Sequence, residues 1–268
     1  MIARVVALAA AALALTACAA RTPVRPSGTS TPDPTAADAF TTATRSCAGL
    51  KTVTGEIRLS GRAGTERIRG TLIAGLSAPA SVRFEAVAPF GAPFFILAGT
   101  DNRATLLLPR DNRVLVDAAL PQVLERLTGL ALAANDVRMI LTGCLVEQPQ
   151  PSEGRRWANG WLGVTLGNGI VAYVRDMNGQ PVVSAADHGQ WRVDYANHLN
   201  GWPRQVRIRS AGSGEGRQAV TIDISANLDQ LEVNTGIDDK AFVISPPANA
   251  VPISLDDLRS VAPLREPK

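Results

Sequence analysis

Histidine, cysteine and long apolar runs are all scarce in this chain of 268 residues. Two histidines and three cysteines leave little for metal chemistry, and His188 and His198 lie ten residues apart with no ligand spacing. Neither charge dominates. Lys plus Arg total 27 against 24 Asp plus Glu, so the pI of about 9.0 reflects a net +3 and no basic run. That balance argues against a dedicated nucleic-acid binder. No Gly-x-Ser-x-Gly elbow, phosphate loop, Cys-x-x-Cys or His-Glu-x-x-His occurs, and no enzymatic activity or cofactor is expected. Two carboxylate pairs read as local structure. Asp238-Asp239 begins a short turn before Phe242, and Ser254-x-x-Asp257 has the spacing of a capping box. Gly212-x-Gly214-x-Gly216 precedes no helix and reads as a flexible hairpin loop. With 46% hydrophobic and 19% charged residues, the chain is not disordered throughout.

The apolar run from Val5 to Leu15 follows one positive charge at Arg4. It falls short of the ~20 residues needed to span a bilayer, and residues 1–17 read as an export signal. Leu15-Thr16-Ala17-Cys18 resembles the lipobox of bacterial lipoproteins, in which the cysteine becomes the lipid-modified first residue. An ordinary secretory signal with an incidental cysteine is the alternative. In the sorting pattern this resembles, Asp after the cysteine favours the inner membrane, so Ala19 points to the outer membrane, with the protein facing the periplasm.

Residues 18–35 carry that cysteine and a tether containing Pro23, Pro26, Pro32 and Pro34 among Ser, Thr, Gly and Arg. Extended as polyproline II, the tether reaches roughly 50 Å. One domain is expected over residues 36–268. With Cys18 lipidated, Cys47 and Cys144 form an even pair in an oxidising compartment, either a disulfide or two buried thiols.

From Thr52 the period becomes two. Val53, Ile57 and Leu59 alternate with polar residues, as do Ile68 and Leu72, then Val82, Phe84 and Ala86. Apolar runs follow at 94–97, 105–108 and 114–116, and further strands at 161–166, 170–175, 181–186, 190–195, 205–210 and 218–225. Asn168-Gly169 and Asn178-Gly179 mark hairpin turns. Helices are expected over 36–50, after Pro121 with Val123, Leu124, Leu127 and Leu130 on one face, and over 136–145 with Asn135 or Asp136 as cap. The fold class is mainly β with helices (α+β): about eleven antiparallel strands in one curved sheet, with helices over its concave side.

An N-terminal helix, a long curved sheet, central helices and a lipobox together resemble the LolA/LolB superfamily of lipoprotein carriers and receptors. Gly55-Glu56-Ile57-Arg58-Leu59, Ser81-Val82-Arg83-Phe84-Glu85 running into Ala88-Pro89-Phe90-Gly91-Ala92-Pro93-Phe94, and Gln190–Tyr195 followed by Trp202-Pro203 carry the resemblance. So do Asn234, Asp238-Asp239, Phe242 and Pro246-Pro247. The resemblance implies an unclosed half-barrel whose concave apolar face holds acyl chains of lipoproteins or other lipids. It also implies a periplasmic carrier as a partner, and a membrane-contact loop matched in position by Pro89, Phe90 and Gly91. Residues on the apolar sides of strands are the candidate lipid-binding set: Ile57, Leu59, Leu72, Val82, Phe84, Phe94, Leu97, Leu106 and Leu108. The competing expectation is an envelope scaffold whose cavity is filled by its own side chains.

Overall fold

A computed structural model describes residues 25–88, 90–145, 151–167, 169–189, 191–210, 221–261 and 264. The export signal, Cys18, Pro89 and the Gly212–Gly216 loop lie outside the described residues. In chain order the first half contains β1 (Ser30–Pro32), α1 (Thr35–Ala43), a 3-10 turn (Arg45–Gly49), β2 (Thr52–Ala63), β3 (Glu66–Ser77), β4 (Ser81–Ala86), β5 (Ile96–Thr100), β6 (Arg103–Leu108) and β7 (Arg113–Ala119). Two helices follow, α2 (Leu120–Thr128) and α3 (Ala134–Thr142). The second half contains β8 (Pro151–Trp157), β9 (Leu162–Leu166), β10 (Val171–Met177), β11 (Gln180–His188), β12 (Trp191–Ala196), β13 (Gln205–Ser210) and β14 (Ile222–Val233). A 3-10 turn (Asp239–Phe242), β15 (Val251–Pro252) and α4 (Leu255–Val261) complete it.

The fifteen strands among the described residues form one sheet, ordered β1-β8-β9-β10-β11-β12-β13-β14-β2-β3-β4-β5-β6-β7-β15. Two antiparallel meanders, β2–β7 and β8–β14, are joined by the pairing of β14 with β2. The terminal strands do not pair with each other, so the sheet stays open. Beyond the expected strands stand β1, β8 and β15. Each contains a proline and sits at or next to an edge, where a missing N–H is tolerated and no apolar alternation is needed. β15 covers β7 in parallel, and β1 covers β8. Both pairings shield an edge that would otherwise offer free backbone groups.

The stretch expected as a tether is docked from Arg25 onward. Ser30 pairs with Trp157, Asp33 N donates to the Gly154 carbonyl at 2.9 Å, and the Asp33 carboxylate accepts from Thr35 N and pairs with Arg156. The expected first helix is divided. α1 buries Ala36 and Phe40, ends at Ala43, and gives way to the 3-10 turn that carries Cys47. Cys47 is disulfide-bonded to Cys144, with the Cα atoms 5.5 Å apart.

Alternation sets the two faces. Phe84 faces Leu97 across β4–β5, and Leu97 faces Leu106 across β5–β6, giving an apolar row on the concave side. The convex side carries paired charges such as Arg207–Asp223, bidentate at 2.7 and 2.6 Å. α2 and α3 cross the concave side. Pro121 suits the first turn of α2 and left-handed Gly129 ends it; a Cβ there would lie 2.8 Å from Ala63 Cβ. α3 starts before the expected caps. The Asp136 carboxylate reaches back to Ala133 N at 2.9 Å, while Asn135 accepts from Arg138. The Ser254–Asp257 capping box forms at α4, and Asp238 caps its turn through Lys240 N. No described helix is long and apolar enough to cross a membrane.

Candidate functional site

Between the helices and the concave sheet lies a cavity of about 90 Å³. Its floor is built by Ile57 and Leu59 of β2, Leu72 of β3, Phe84 of β4, Phe95 and Leu97 beside and within β5, and Ile208, Ile224 and Ala226 of β13–β14. The roof comes from Leu124 and Leu127 of α2, Leu130 and Leu132 of the return loop, and Val137, Ile140 and Leu141 of α3. The one polar side chain is Thr128. Its hydroxyl donates to the Leu124 carbonyl at 2.8 Å and accepts from Leu130 N at 3.2 Å, so the polar group in this lining is satisfied by backbone. Such a lining rewards hydrocarbon and offers nothing to a charged solute.

The roof is fastened at one end. In the β5–β6 turn, the Asn102 carbonyl accepts from Leu120 N at 2.8 Å, and its side-chain oxygen accepts from Ala134 N at 3.0 Å. One residue thus anchors the starts of α2 and α3. The disulfide pins the segment after α3 to the 3-10 turn after α1. At the cavity's other side Leu264, almost fully buried, closes the space. Its carbonyl accepts from Arg69 N at 2.9 Å, and its side chain rests where a Cβ on Gly70 would come within 2.8 Å.

Five of the expected residues line this cavity: Ile57, Leu59, Leu72, Phe84 and Leu97. Val82, Leu106 and Leu108 are buried in the same core but do not reach the open space. Phe94 points outward, under the Arg110 guanidinium at 4.4 Å from its ring centroid, and its neighbour Phe95 takes the interior place. The register decides this: Leu97 faces inward, so position 95 does too. Of the expected membrane-contact loop, Phe90 is exposed and Gly91 is left-handed, while Pro89 is outside the described residues. Arg110 braces the loop by donating to the Phe90 and Ala92 carbonyls.

The apolar faces of α2 and α3 are legible in the sequence, but their place over the cavity is set by the fold. Their 3.6-residue period was the available signal. Leu264 carried none, being a lone leucine near the C-terminus.

A larger hollow, about 390 Å³, lies on the convex face beneath residues 237–242, lined by Ile73, Ile237 and Phe242 together with the charged Glu56, Glu85, Glu232 and Arg83. A third, about 120 Å³, adjoins the apolar cavity through the shared side chains Leu132 and Ile140, and it includes His188, Asp136 and Trp191. His198 is hydrogen-bonded to the Val183 carbonyl at 3.0 Å, and burial lowers its pKa. Burial, then the Asp187 carboxylate, raises the Tyr173 phenol to about 12. Among the described residues no three His, Cys, Asp or Glu side chains are grouped to hold a metal ion.

No family model and no curated protein matches the chain in sequence. Among solved structures it is similar to a LolA superfamily protein from Nitrosomonas europaea (TM-score 0.46, 10% identity, 75% of this chain and 96% of that one). It is similar also to a DUF1329 family protein from Desulfovibrio piger (TM-score 0.43, 12% identity, 77% and 96%). A third likeness is to the Mycobacterium tuberculosis lipoprotein LppX (TM-score 0.33, 10% identity, 77% and 98%). The unclosed sheet, with its concave face roofed by helices, has the architecture expected from the sequence. At these identities the chemistry of the site is read from its own residues.

Proposed function

We propose that this protein is a lipid-anchored envelope protein, held at the outer membrane through Cys18 and facing the periplasm. It binds acyl chains of lipoproteins or other lipids and assists their localisation. The carrying observation is the cavity between α2, α3 and the concave sheet, apolar at every position but Thr128, whose hydroxyl is spent on backbone. Burying hydrocarbon from water is worth about 0.8 kcal/mol per CH₂. A chain that comes from another apolar site gains little net energy, so transfer needs only a modest preference and no energy-coupled step. The protein acts by binding, without catalysis, and a periplasmic carrier is its natural donor.

Size qualifies how loading occurs. Ligand pockets commonly enclose ~300–1,000 Å³, and about 90 Å³ is open here. Entry of a hydrocarbon tail therefore requires the roof to lift, and the side held by Leu264 is the one without the Asn102 and disulfide fastenings. The same small volume favours the second reading, a scaffold with a filled interior that binds a protein partner.

Native mass spectrometry of the domain purified from cells without Cys18 separates the two. Co-purifying lipid that is displaced in Phe84→Glu supports carriage. A lipid-free protein under every growth condition, with Phe84→Glu still folded, supports the scaffold. Incorporation of labelled fatty acid into wild type and not into Cys18→Ala tests the anchor independently.

A further inference from the structure

Arg25 lies seven residues after the proposed lipid attachment point and is fixed to the folded domain by an unusually complete set of bonds. Its Nε donates to Asp194 Oδ1 at 2.8 Å, its Nη1 pairs with Asp187, and its Nη2 donates to the Ala186 and Val193 carbonyls, each at 3.0 Å. Ala186 and Val193 face one another across β11 and β12, so the guanidinium staples these two strands together. Val193 and Tyr195 point into the concave core; Asp194 between them points to the convex side and is nevertheless buried, with Arg25 and Arg209 both upon it. The Arg25 guanidinium also stands 5.7 Å from the Tyr173 ring centroid. Four of the five N–H groups of Arg25 are engaged, which fixes where the chain leaves the domain.

That position has a consequence for the anchor. Six residues separate Cys18 from Arg25. Even fully extended, the chain between them spans at most about 25 Å, half the reach of an undocked tether. The alternating meander places the β2–β3, β4–β5, β6–β7, β9–β10 and β11–β12 turns at one end of the sheet, and Asp187 and Val193 adjoin the last of these. The same end carries Arg62 and Arg67 with Glu66 beside the β2–β3 turn, Arg110 and Arg113 with Asp111 at the β6–β7 turn, and Phe90, 88% exposed, in the β4–β5 turn. The opposite end carries Asp101 with Arg103 beside the β5–β6 turn, Asp176 with Arg175 beside the β10–β11 turn, and Arg204 in the β12–β13 connection, so its charges are mixed. Arginines in excess over carboxylates and an exposed aromatic, at the end where a short leash attaches, suit the phosphate surface of a bilayer.

We infer that Arg25 is an orienting staple: it holds the β2–β3/β4–β5/β11–β12 end of the sheet against an anionic phospholipid surface and turns the opposite end toward the periplasm. The inference rests on the Cys18 anchor proposed above. Leu264 and the less fastened side of the cavity lie toward this end, through the pairing of its neighbour Arg69 beside the β2–β3 turn, so the staple also presents the cavity to the membrane.

The test uses full-length lipidated protein in vesicles of phosphatidylethanolamine and phosphatidylglycerol, after mass spectrometry has verified acylation of Cys18. A fluorophore is attached at Phe90→Cys, or at Asn178→Cys in the β10–β11 turn of the opposite end. A quencher on the lipid headgroups should quench position 90 several-fold more than position 178. Arg25→Gln should bring that ratio toward one. A Gly-Ser insertion of roughly twelve residues between Arg21 and Arg25, adding on the order of 20 Å of reach, should do the same. The insertion leaves the staple and fold untouched, so it gives a result even if Arg25→Gln does not fold. Equal quenching at both positions in the acylated wild type, or stronger quenching at 178, overturns the inference and leaves the anchor standing. Absence of acylation overturns the anchor, and the inference with it.

Discussion

Phe94 and Phe95 are adjacent, identical in chemistry and opposite in role. Phe95 is 1% exposed and lines the cavity, whereas Phe94 lies outside beneath Arg110. Period-two reasoning cannot separate two apolar neighbours; only the pairing register of β5 does so. Phe95→Ala should therefore cost about 3–5 kcal/mol in urea denaturation, as large truncations in packed cores do. Phe94→Ala should cost well under half of that. Equal losses would mean that the register has been assigned to the wrong face. Polar neighbours made the other positions legible: Ile57, Leu59 and Phe84 each stand between charged or hydroxyl residues, Leu72 follows Thr71 in the alternation from Ile68, and each reached the cavity.

At the scale of elements, the central strands and both roof helices could be read from periodicity, because one face of each is buried and the other solvated. The edges could not. β1 and β8 include Pro32, Pro151 and Gly154, and their pairing is set by neighbours rather than by a pattern of their own. The docking of Arg25 was equally hidden, since its partners Asp187 and Asp194 are more than 160 residues away. The roof carries two expectations. Cys47→Ser with Cys144→Ser removes a link across 97 residues, and chemical denaturation should show a loss of about 4–5 kcal/mol in the chain-entropy account. Unchanged stability would show that the roof is held by packing alone. Leu264→Ala removes the side chain closing the less fastened side, so it should strengthen uptake of a fluorescent fatty acid. Weaker uptake would make Leu264 part of the binding surface instead of its stopper.

For the whole molecule, the convex face and the termini are tied by aspartates held below their ordinary pKa of 3.8. Hydrogen bonds from Thr35 and Arg156 lower Asp33, those from Arg207 lower Asp223, and those from Ser254 lower Asp257. A carboxylate with a depressed folded-state pKa contributes stability above its unfolded value, and that contribution disappears as pH falls through the folded value. Thermal midpoints should thus be flat from neutral pH down to about 4 and fall below it. A decline already beginning near pH 6 would point to a group other than these. The curved sheet, the roof and the apolar interior were legible as a whole because they follow from alternation and chain order. The interior's narrowness was not, because volume depends on how far the leucines of α2, α3 and residue 264 reach inward.

The narrow interior is where hydrocarbon must enter. A palmitate analogue carrying a photoreactive group at its methyl end, bound to the purified domain and irradiated, reports directly where hydrocarbon goes. Adducts are expected on cavity residues such as Leu72, Phe84, Leu97 and Leu127, suppressed in Phe84→Glu. Adducts confined to exposed Phe90 and Val87, or none above an unrelated control protein, would contradict acyl-chain binding in the cavity.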